Sequence, residues 1–269
     1  MTEHQYKGKV LTIAGSDSSG GAGIQADIKT ISSLGCYAAS CITSVTAQNT
    51  SKVYNVYNIP QHIIQQQIEV VLSDINIDAI KIGMLPSSEA IIAVAQSLPH
   101  IPIVVDPVMI STSNCRLMDN SAISDFIKHI IHKTTIITPN ITEAEVLTHT
   151  KITNQNDMIK ASQTIKSLGA KYVLIKGGHI NQEIINNILL TEDNQILNFP
   201  HQRIFDGELH GTGCTLSSAI ASFISQKISV QESVNLAIQY ILKTIKTVPQ
   251  IGKGNNPVFH NYNVINPIF

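Results

Sequence analysis

Residues Lys9 to Leu34, KVLTIAGSDSSGGAGIQADIKTISSL, hold a β-prone apolar run, a turn rich in glycine and serine, and an amphipathic stretch. Lys9–Ala14 (KVLTIA) reads as a buried strand. From Ala22 to Leu34 the apolar residues Ile24, Ile28, Ile31 and Leu34 fall on one helical stripe, and Gly35 stops the helix. A strand, a turn and a helix in that order form the repeating unit of an α/β fold.

The unit recurs along the chain. Tyr37–Ala47 and Val53–Ile59 are small, β-prone stretches, and Pro60 opens a helix through Leu72. Ala79–Gly83 (AIKIG) is a strand, Ser88–Gln96 a helix, and Ile103–Asp106 (IVVD) a strand ending on a carboxylate. Asp119 caps a helix to Ile131, Thr135–Thr138 is a strand, and Thr142 with Glu145 has capping-box spacing for a short helix. Asn154 starts a helix that Gly169 ends, and Tyr172–Lys176 (YVLIK) is a strand. Near Glu183 the rhythm changes: Ile184–Thr191 and Gln195–Ile204 read as an antiparallel pair turning at Asp193-Asn194. Helices over Gly213–Gln226 and Ser229–Thr247 follow. The alternation predicts an α/β fold with a mostly parallel sheet, helices on both faces and an antiparallel strand pair near 184–204. No linker or repeat divides residues 1–269, which are expected to form a single domain.

Composition narrows the function classes. Lys+Arg 18 against Asp+Glu 19 gives a formal net charge of −1, with no basic stripe to bind nucleic acid. None of the four cysteines (Cys36, Cys41, Cys115, Cys214) forms a CxxC pair or a zinc-ligand cluster, which fits a reducing compartment. The N-terminus carries no signal-like apolar stretch, and the apolar runs are only strand-length, so a soluble cytoplasmic protein with no membrane partner is expected.

Ligands of such sheets bind beyond the carboxyl ends of the strands. The first strand is followed by Gly15-Ser16-Asp17-Ser18-Ser19-Gly20-Gly21-Ala22-Gly23, which lacks the Lys-Ser/Thr of a Walker loop. Gly21-x-Gly23-x-x-Ala26 loosely matches a dinucleotide fingerprint, but a flexible turn explains it as well. Asp27, one turn into the helix, can face a ligand or water. Asp106, before Pro107, is either a magnesium ligand or a strand-ending turn residue. Asn140 and Glu143 can hold a metal or its waters, or simply cap a helix. Lys176, before Gly177-Gly178, can reach a phosphate or snorkel. Last comes His210-Gly211-Thr212-Gly213-Cys214-Thr215, at the start of a helix of small residues. The free N–H groups and dipole of such a helix start attract phosphate. There the Cys214 thiol is either a small buried hydrophobe or a group lowered from about 8.5 to about 3.5–7.5.

TIAGSDSSGGAGIQADIKT, TAQNT, KIGML, VDPVM, TPNITEAE, IKGGH and HGTGCT stand in this order over about Val10 to His260. Together they resemble the bacterial hydroxymethylpyrimidine/phosphomethylpyrimidine kinases of thiamine biosynthesis, in the ribokinase-like superfamily. The resemblance implies ATP- and magnesium-dependent phosphorylation of 4-amino-5-hydroxymethyl-2-methylpyrimidine, first to the monophosphate and then to the pyrophosphate. It places the pyrimidine among Gly15, Asp27, Gln48, Met84 and Val108. It assigns Asn140, Glu143 and Lys176 to the triphosphate and magnesium, with Asp106 a second metal candidate. Gly211, Thr212, Gly213 and Cys214 form the anion hole, with Cys214 accepting or relaying the substrate's proton. It also implies a homodimer.

The chain departs from the family pattern in the loop 111–117, expected to cover the substrate, at Phe205-Asp206-Gly207-Glu208-Leu209, and in the tail near Gly254-Asn255-Asn256. The nearest alternative is a pyridoxal/pyridoxine kinase of the same branch. A non-catalytic binding module with this fold and a nicotinamide-dependent oxidoreductase are more distant ones.

Overall fold

The computed structural model describes residues 5–109, 117–179, 183–205, 207, 209–246 and 248–263. The first half runs β1 (Lys9–Asp17), α1 (Gly23–Ser33), β2 (Tyr37–Gln48), β3 (Val53–Asn58), α2 (Gln61–Asp74), β4 (Ala79–Ile82), α3 (Ser88–Ser97) and β5 (Ile103–Val105). The second half runs α4 (Asn120–His129), β6 (Ile136–Ile137), α5 (Ile141–Thr148), α6 (Gln155–Ser167), β7 (Tyr172–Ile175), β8 (Ile184–Leu190), β9 (Ile196–Gln202), α7 (Thr212–Ser225) and α8 (Val230–Lys246). The sheet has nine strands in the order β3-β2-β1-β4-β5-β6-β7-β8-β9. From β2 to β7 all neighbours are parallel, while β3 joins β2, and β8 and β9 follow β7, in antiparallel sense. The expected architecture and the antiparallel pair are both present, with Asn194 in the left-handed region (φ 65°) at the turn.

Alternation along the central strands sorts the side chains onto two faces. Leu11, Ile13, Ile80, Ile82, Ile103, Val105, Val173 and Ile175 pack with Ile64, Ile91, Phe126, Ala144 and Met158 of α2 to α6. Val10, Ala79, Val104, Ile136 and Leu174 pack with Ile31, Leu216, Ile220, Val234 and Tyr240 of α1, α7 and α8. The core is thus two aliphatic layers separated by the sheet.

Two helix starts differ from expectation. The capping box lies at Asn140 and Glu143, not at Thr142 and Glu145: the Asn140 side chain accepts from the Glu143 N–H, and the Glu143 carboxylate accepts from the Asn140 N–H. Asn140 is extended (φ −77°, ψ 177°) and caps with its own side chain, so the helix begins one residue later, at Ile141. Glu145 instead binds the Ile152 N–H and Lys151. Asp119 occupies the N-cap of α4 but makes no side-chain capping bond.

The tail returns to the carboxyl ends of the strands, with Pro257 bridged to His210 and the Asn255 N–H donating to Thr50 O. The His260 ring there is 3% exposed, and its Nε2 has no partner among the described residues. Burial, with Lys29 nearby, pushes its pKa down from 6.5 to about 4. Between those values the unfolded chain binds a proton that the folded ring refuses. The contribution is therefore intact above pH 6.5 and lost as pH falls toward 4. His260→Gln is expected to lose less stability than the parent between pH 6.5 and 4.5, read by urea unfolding at each pH.

Candidate active site

Three neighbouring strands each end with a polar residue two positions beyond an apolar one that faces α7. Asp106 follows Val104, Thr138 follows Ile136, and Lys176 follows Leu174. Lys176 Nζ donates to Asp106 Oδ1 at 2.7 Å and lies 3.9 Å from Glu143 Oε2. Thr138 Oγ1 donates to the same Asp106 oxygen at 3.2 Å. Burial raises the Glu143 carboxyl to about 7: Asp106 adds to the rise, while Lys176 and the N–H groups of Asn140 and Met109 oppose it. For Lys176, burial favours the neutral amine, but Asp106 and Glu143 outweigh it and raise its pKa.

This corner has more buried negative charge than one lysine neutralises. Among the described residues no third His, Cys, Asp or Glu joins Asp106 and Glu143. A closed protein cage is therefore absent there, but magnesium needs only one or two carboxylates when waters and substrate phosphates complete its shell, so the donor set fits that ion.

The N-terminus of α7 faces the same corner. A Cβ on Gly213 would stand 3.0 Å from Asp106 Oδ2 and 3.2 Å from Lys176 Nζ, so the bare backbone approaches both charges closely. Gly211 (φ 84°) crosses the first loop, where a Cβ would lie 1.9 Å from Gly21 O. The loop is held by Asp17, which accepts from the N–H groups of Ser19, Gly21 and Ala22 and from His210 Nε2 at 2.8 Å. Burial alone would raise the Asp17 carboxyl, but the bonds from His210 and Ser19 hold it down at about 2. Gly21 and Gly23 thus serve close chain crossings rather than a dinucleotide: their Cβ atoms would meet His210 Cδ2 at 2.4 Å and Gly15 O at 2.3 Å.

On the other side of this loop, Gly15 packs against Ser44 and Met84, where a Cβ would meet their Oγ and Sδ at 2.8 and 2.9 Å. Met84 is 7% exposed, with Thr43 Oγ1 donating to its carbonyl. Gln48 is half-buried, its amide 3.2 Å from His210 Nε2 and 3.2 Å from Thr46 Oγ1. Val108 is half-buried beside Asp106, to whose carbonyl its N–H donates. The structure therefore brings Gly15 and Met84 together on one side of the first loop, with the Gln48 amide beside His210 and accepting from Thr46. It gathers Asp106, Asn140, Glu143, Lys176 and Gly213 on the other.

Two of the implied residues stand in surroundings that bear on their roles. Asp27 is fully buried, and its carboxylate is already engaged. Oδ1 accepts from Lys81 Nζ at 2.9 Å and Ser218 Oγ at 2.7 Å, and Oδ2 from Lys81 Nζ at 2.9 Å and Thr12 Oγ1 at 2.6 Å. Cys214 is partly exposed, but its thiol is raised to about 11 rather than lowered. Burial is the main cause, and the Asp27 and Asp106 carboxylates add to it against Lys81 and the Gly23 N–H. Desolvation thus prevails over the neighbouring cation and the backbone N–H.

Sequence reading passed over Lys81 and the His210–Asp17 pair. A lone lysine inside the apolar strand AIKI was the available signal for the first. Of the loop 111–117 only Leu117 is described, its N–H donating to Met109 O at 2.9 Å. Ser111–Arg116, Asp206 and Glu208 lie outside the described residues.

The sheet and its strand-end site define a ribokinase-like α/β kinase. The family described as phosphomethylpyrimidine kinase matches residues 17–259, and the chain belongs to it. It is 40% identical over 255 residues to a hydroxymethylpyrimidine/phosphomethylpyrimidine kinase of Rhizobium meliloti, covering 93% of this chain and 96% of that one. It also spans 52% of a longer thiamine biosynthesis bifunctional protein of Geobacter sulfurreducens, at 40% identity over 94% of its own length. Among solved structures, phosphomethylpyrimidine kinase from Clostridium difficile matches with TM-score 0.79 and 45% identity, covering 88% of this chain and 99% of that one. Pyridoxal kinase from Staphylococcus aureus, in complex with AMP-PCP and pyridoxal, matches with TM-score 0.87 and 32% identity, covering 96% and 95%.

Gly23→Ala tests the crossing on which the first loop depends. With φ at 55° and Gly15 O at 2.3 Å from the added Cβ, the loop must move. Steady-state kinetics should show kcat/KM lower by about tenfold or more.

Proposed function

We propose that the chain, acting as a single ribokinase-like domain over 1–269, uses ATP to phosphorylate the hydroxymethyl group of 4-amino-5-hydroxymethyl-2-methylpyrimidine. The monophosphate is then phosphorylated to the pyrophosphate. Family membership makes the protein a phosphotransferase of thiamine biosynthesis. The observation that carries the reading is the bare Gly213 backbone set against Asp106 and Lys176 beside a thiol, at the carboxyl ends of the strands.

In this reading Gly15, Gln48, Met84 and Val108 hold the pyrimidine. Met84 and Val108 offer apolar surface to a flat ring, and the Gln48 amide pairs with a ring nitrogen and amino group. The free N–H groups of Thr212, Gly213 and Cys214 receive the transferred phosphoryl group, and Lys176 holds the triphosphate as a point charge. Asn140 fixes Glu143 through the capping box. Asp106 and Glu143 would hold magnesium, which supplies charge neutralisation along the phosphates.

Cys214 is a neutral thiol at pH 7, given its elevated pKa. It orients the substrate hydroxyl and relays its proton late: as the new bond to phosphorus forms, the sulfur takes the hydroxyl proton while its own S–H proton passes to an oxygen of the transferred phosphoryl group, which suits a loose phosphoryl-transfer transition state. The ring-binding role implied for Asp27 passes to its neighbours, because its carboxylate is enclosed. The higher identity to pyrimidine kinases, 45% and 40% against 32% for the pyridoxal kinase, supports the aminopyrimidine over pyridoxine. A homodimer and a cytoplasmic location complete the proposal. Among the described residues no helix is long and apolar enough to cross a membrane.

With ATP, magnesium and the hydroxymethylpyrimidine, product analysis is expected to show the monophosphate followed by the pyrophosphate. The kcat/KM for this alcohol should exceed that for pyridoxine; the reverse preference overturns the substrate assignment. Cys214→Ala should lower kcat by about 10²–10⁴-fold with ATP affinity retained, measured by calorimetric titration. Unchanged turnover removes the thiol from the reaction. Sedimentation at micromolar concentration tests the dimer.

A further inference from the structure

Lys81 is among the largest fully buried side chains, and it is charged. Strand alternation puts it on the same face of β4 as Ala79, toward α7, and in register with Thr12 of β1. Its ammonium reaches the carboxyl end of the strand, because a Cβ on Gly83 would stand 2.7 Å from Nζ. Both oxygens of Asp27 accept from it at 2.9 Å. The Asp27 carboxylate also accepts from Thr12 of β1 and from Ser218 of α7. Ser218 lies four residues after Cys214, one turn along the same helix face. One ammonium and one carboxylate therefore tie two strands and two helices together one turn behind the sulfur.

We propose that Lys81, clamped by Asp27, is a positioning residue for the Cys214 end of the site. It places a permanent positive charge behind the first turn of α7 and, through Asp27 and Ser218, fixes the helix face that carries the sulfur. The inference rests on the reading above that Cys214 meets the substrate hydroxyl. The charged groups that act on the sulfur are Lys81 from β4, Asp27 from α1 and Asp106 after β5, while the sulfur in turn acts on Lys176 after β7. Lys81 favours the thiolate more strongly than either carboxylate opposes it. A merely structural ion pair could be replaced by a neutral pair of similar size without consequence at the sulfur.

The test compares Asp27→Asn, the double variant Lys81→Met/Asp27→Asn and Ser218→Ala with the parent. Iodoacetamide labelling of the Cys214 peptide is followed by mass spectrometry at pH 8.5, together with kcat, KM and melting temperature. The double variant is expected to label about tenfold more slowly, the change produced by one pKa unit, and to lose kcat with both KM values nearly unchanged. Asp27→Asn alone, which leaves the cation unopposed, should label faster. A double variant that melts normally with parental labelling and kcat overturns the proposal. If the charge variants do not fold, Ser218→Ala decides: it keeps the ion pair, and a fall in kcat rescued by Ser218→Thr supports the proposal, while parental kcat overturns it. Labelling reports the charge at the sulfur whether or not the thiol takes part in transfer. Failure here is therefore distinct from failure of the Cys214 reading, which Cys214→Ala turnover reports.

Discussion

An ammonium with no exposed surface, held between two carboxylate oxygens, sits where the first strand, the fourth strand, the first helix and α7 meet. Removing either charge alone would leave the other uncompensated in a low-dielectric interior, at a cost of about 3–5 kcal/mol. The pair survives burial because every acceptor position of Asp27 is used by Lys81, Thr12 or Ser218. That saturation fixes α7 relative to the sheet, and the position of α7 sets where Gly213 and Cys214 stand relative to Asp106.

A second charged group, more open, stands at the site itself. Asp106, Glu143 and Lys176 carry two negative charges and one positive when all are ionised, and the proton affinity of Glu143 rises accordingly. The two clusters divide the labour. The closed one is electrically matched and rigid. The open one is left with a deficit of positive charge that a hard cation would offset.

Backbone shape does not choose the substrate. The pyridoxal kinase superposes with the higher TM-score, 0.87 against 0.79, while the phosphomethylpyrimidine kinase shares more residues, 45% against 32%. One scaffold can carry both chemistries because function resides in a few side chains placed on a fold rather than in the fold itself.

Much of the fold was legible in order of appearance. KVLTIA, AIKIG, IVVD and YVLIK announced parallel strands, and Asp193-Asn194 announced the hairpin. The capping box was displaced by two residues because the Asn140 side chain accepts from the Glu143 N–H and so makes Asn140 the cap. The strand-end groups were also legible as types: a carboxylate at Asp106, an amine at Lys176, glycines at the start of α7. What the sequence by itself determined is the layered α/β scaffold and which polar groups sit at its carboxyl edge, since both follow from local periodicity. Only the tertiary structure decided that Asp27 is enclosed by Lys81, 54 residues away, that Asp106 meets Lys176 across 70 residues, and that the Cys214 thiol is raised rather than lowered. Those outcomes depend on desolvation and on distances between charges carried by different elements, which no local pattern encodes.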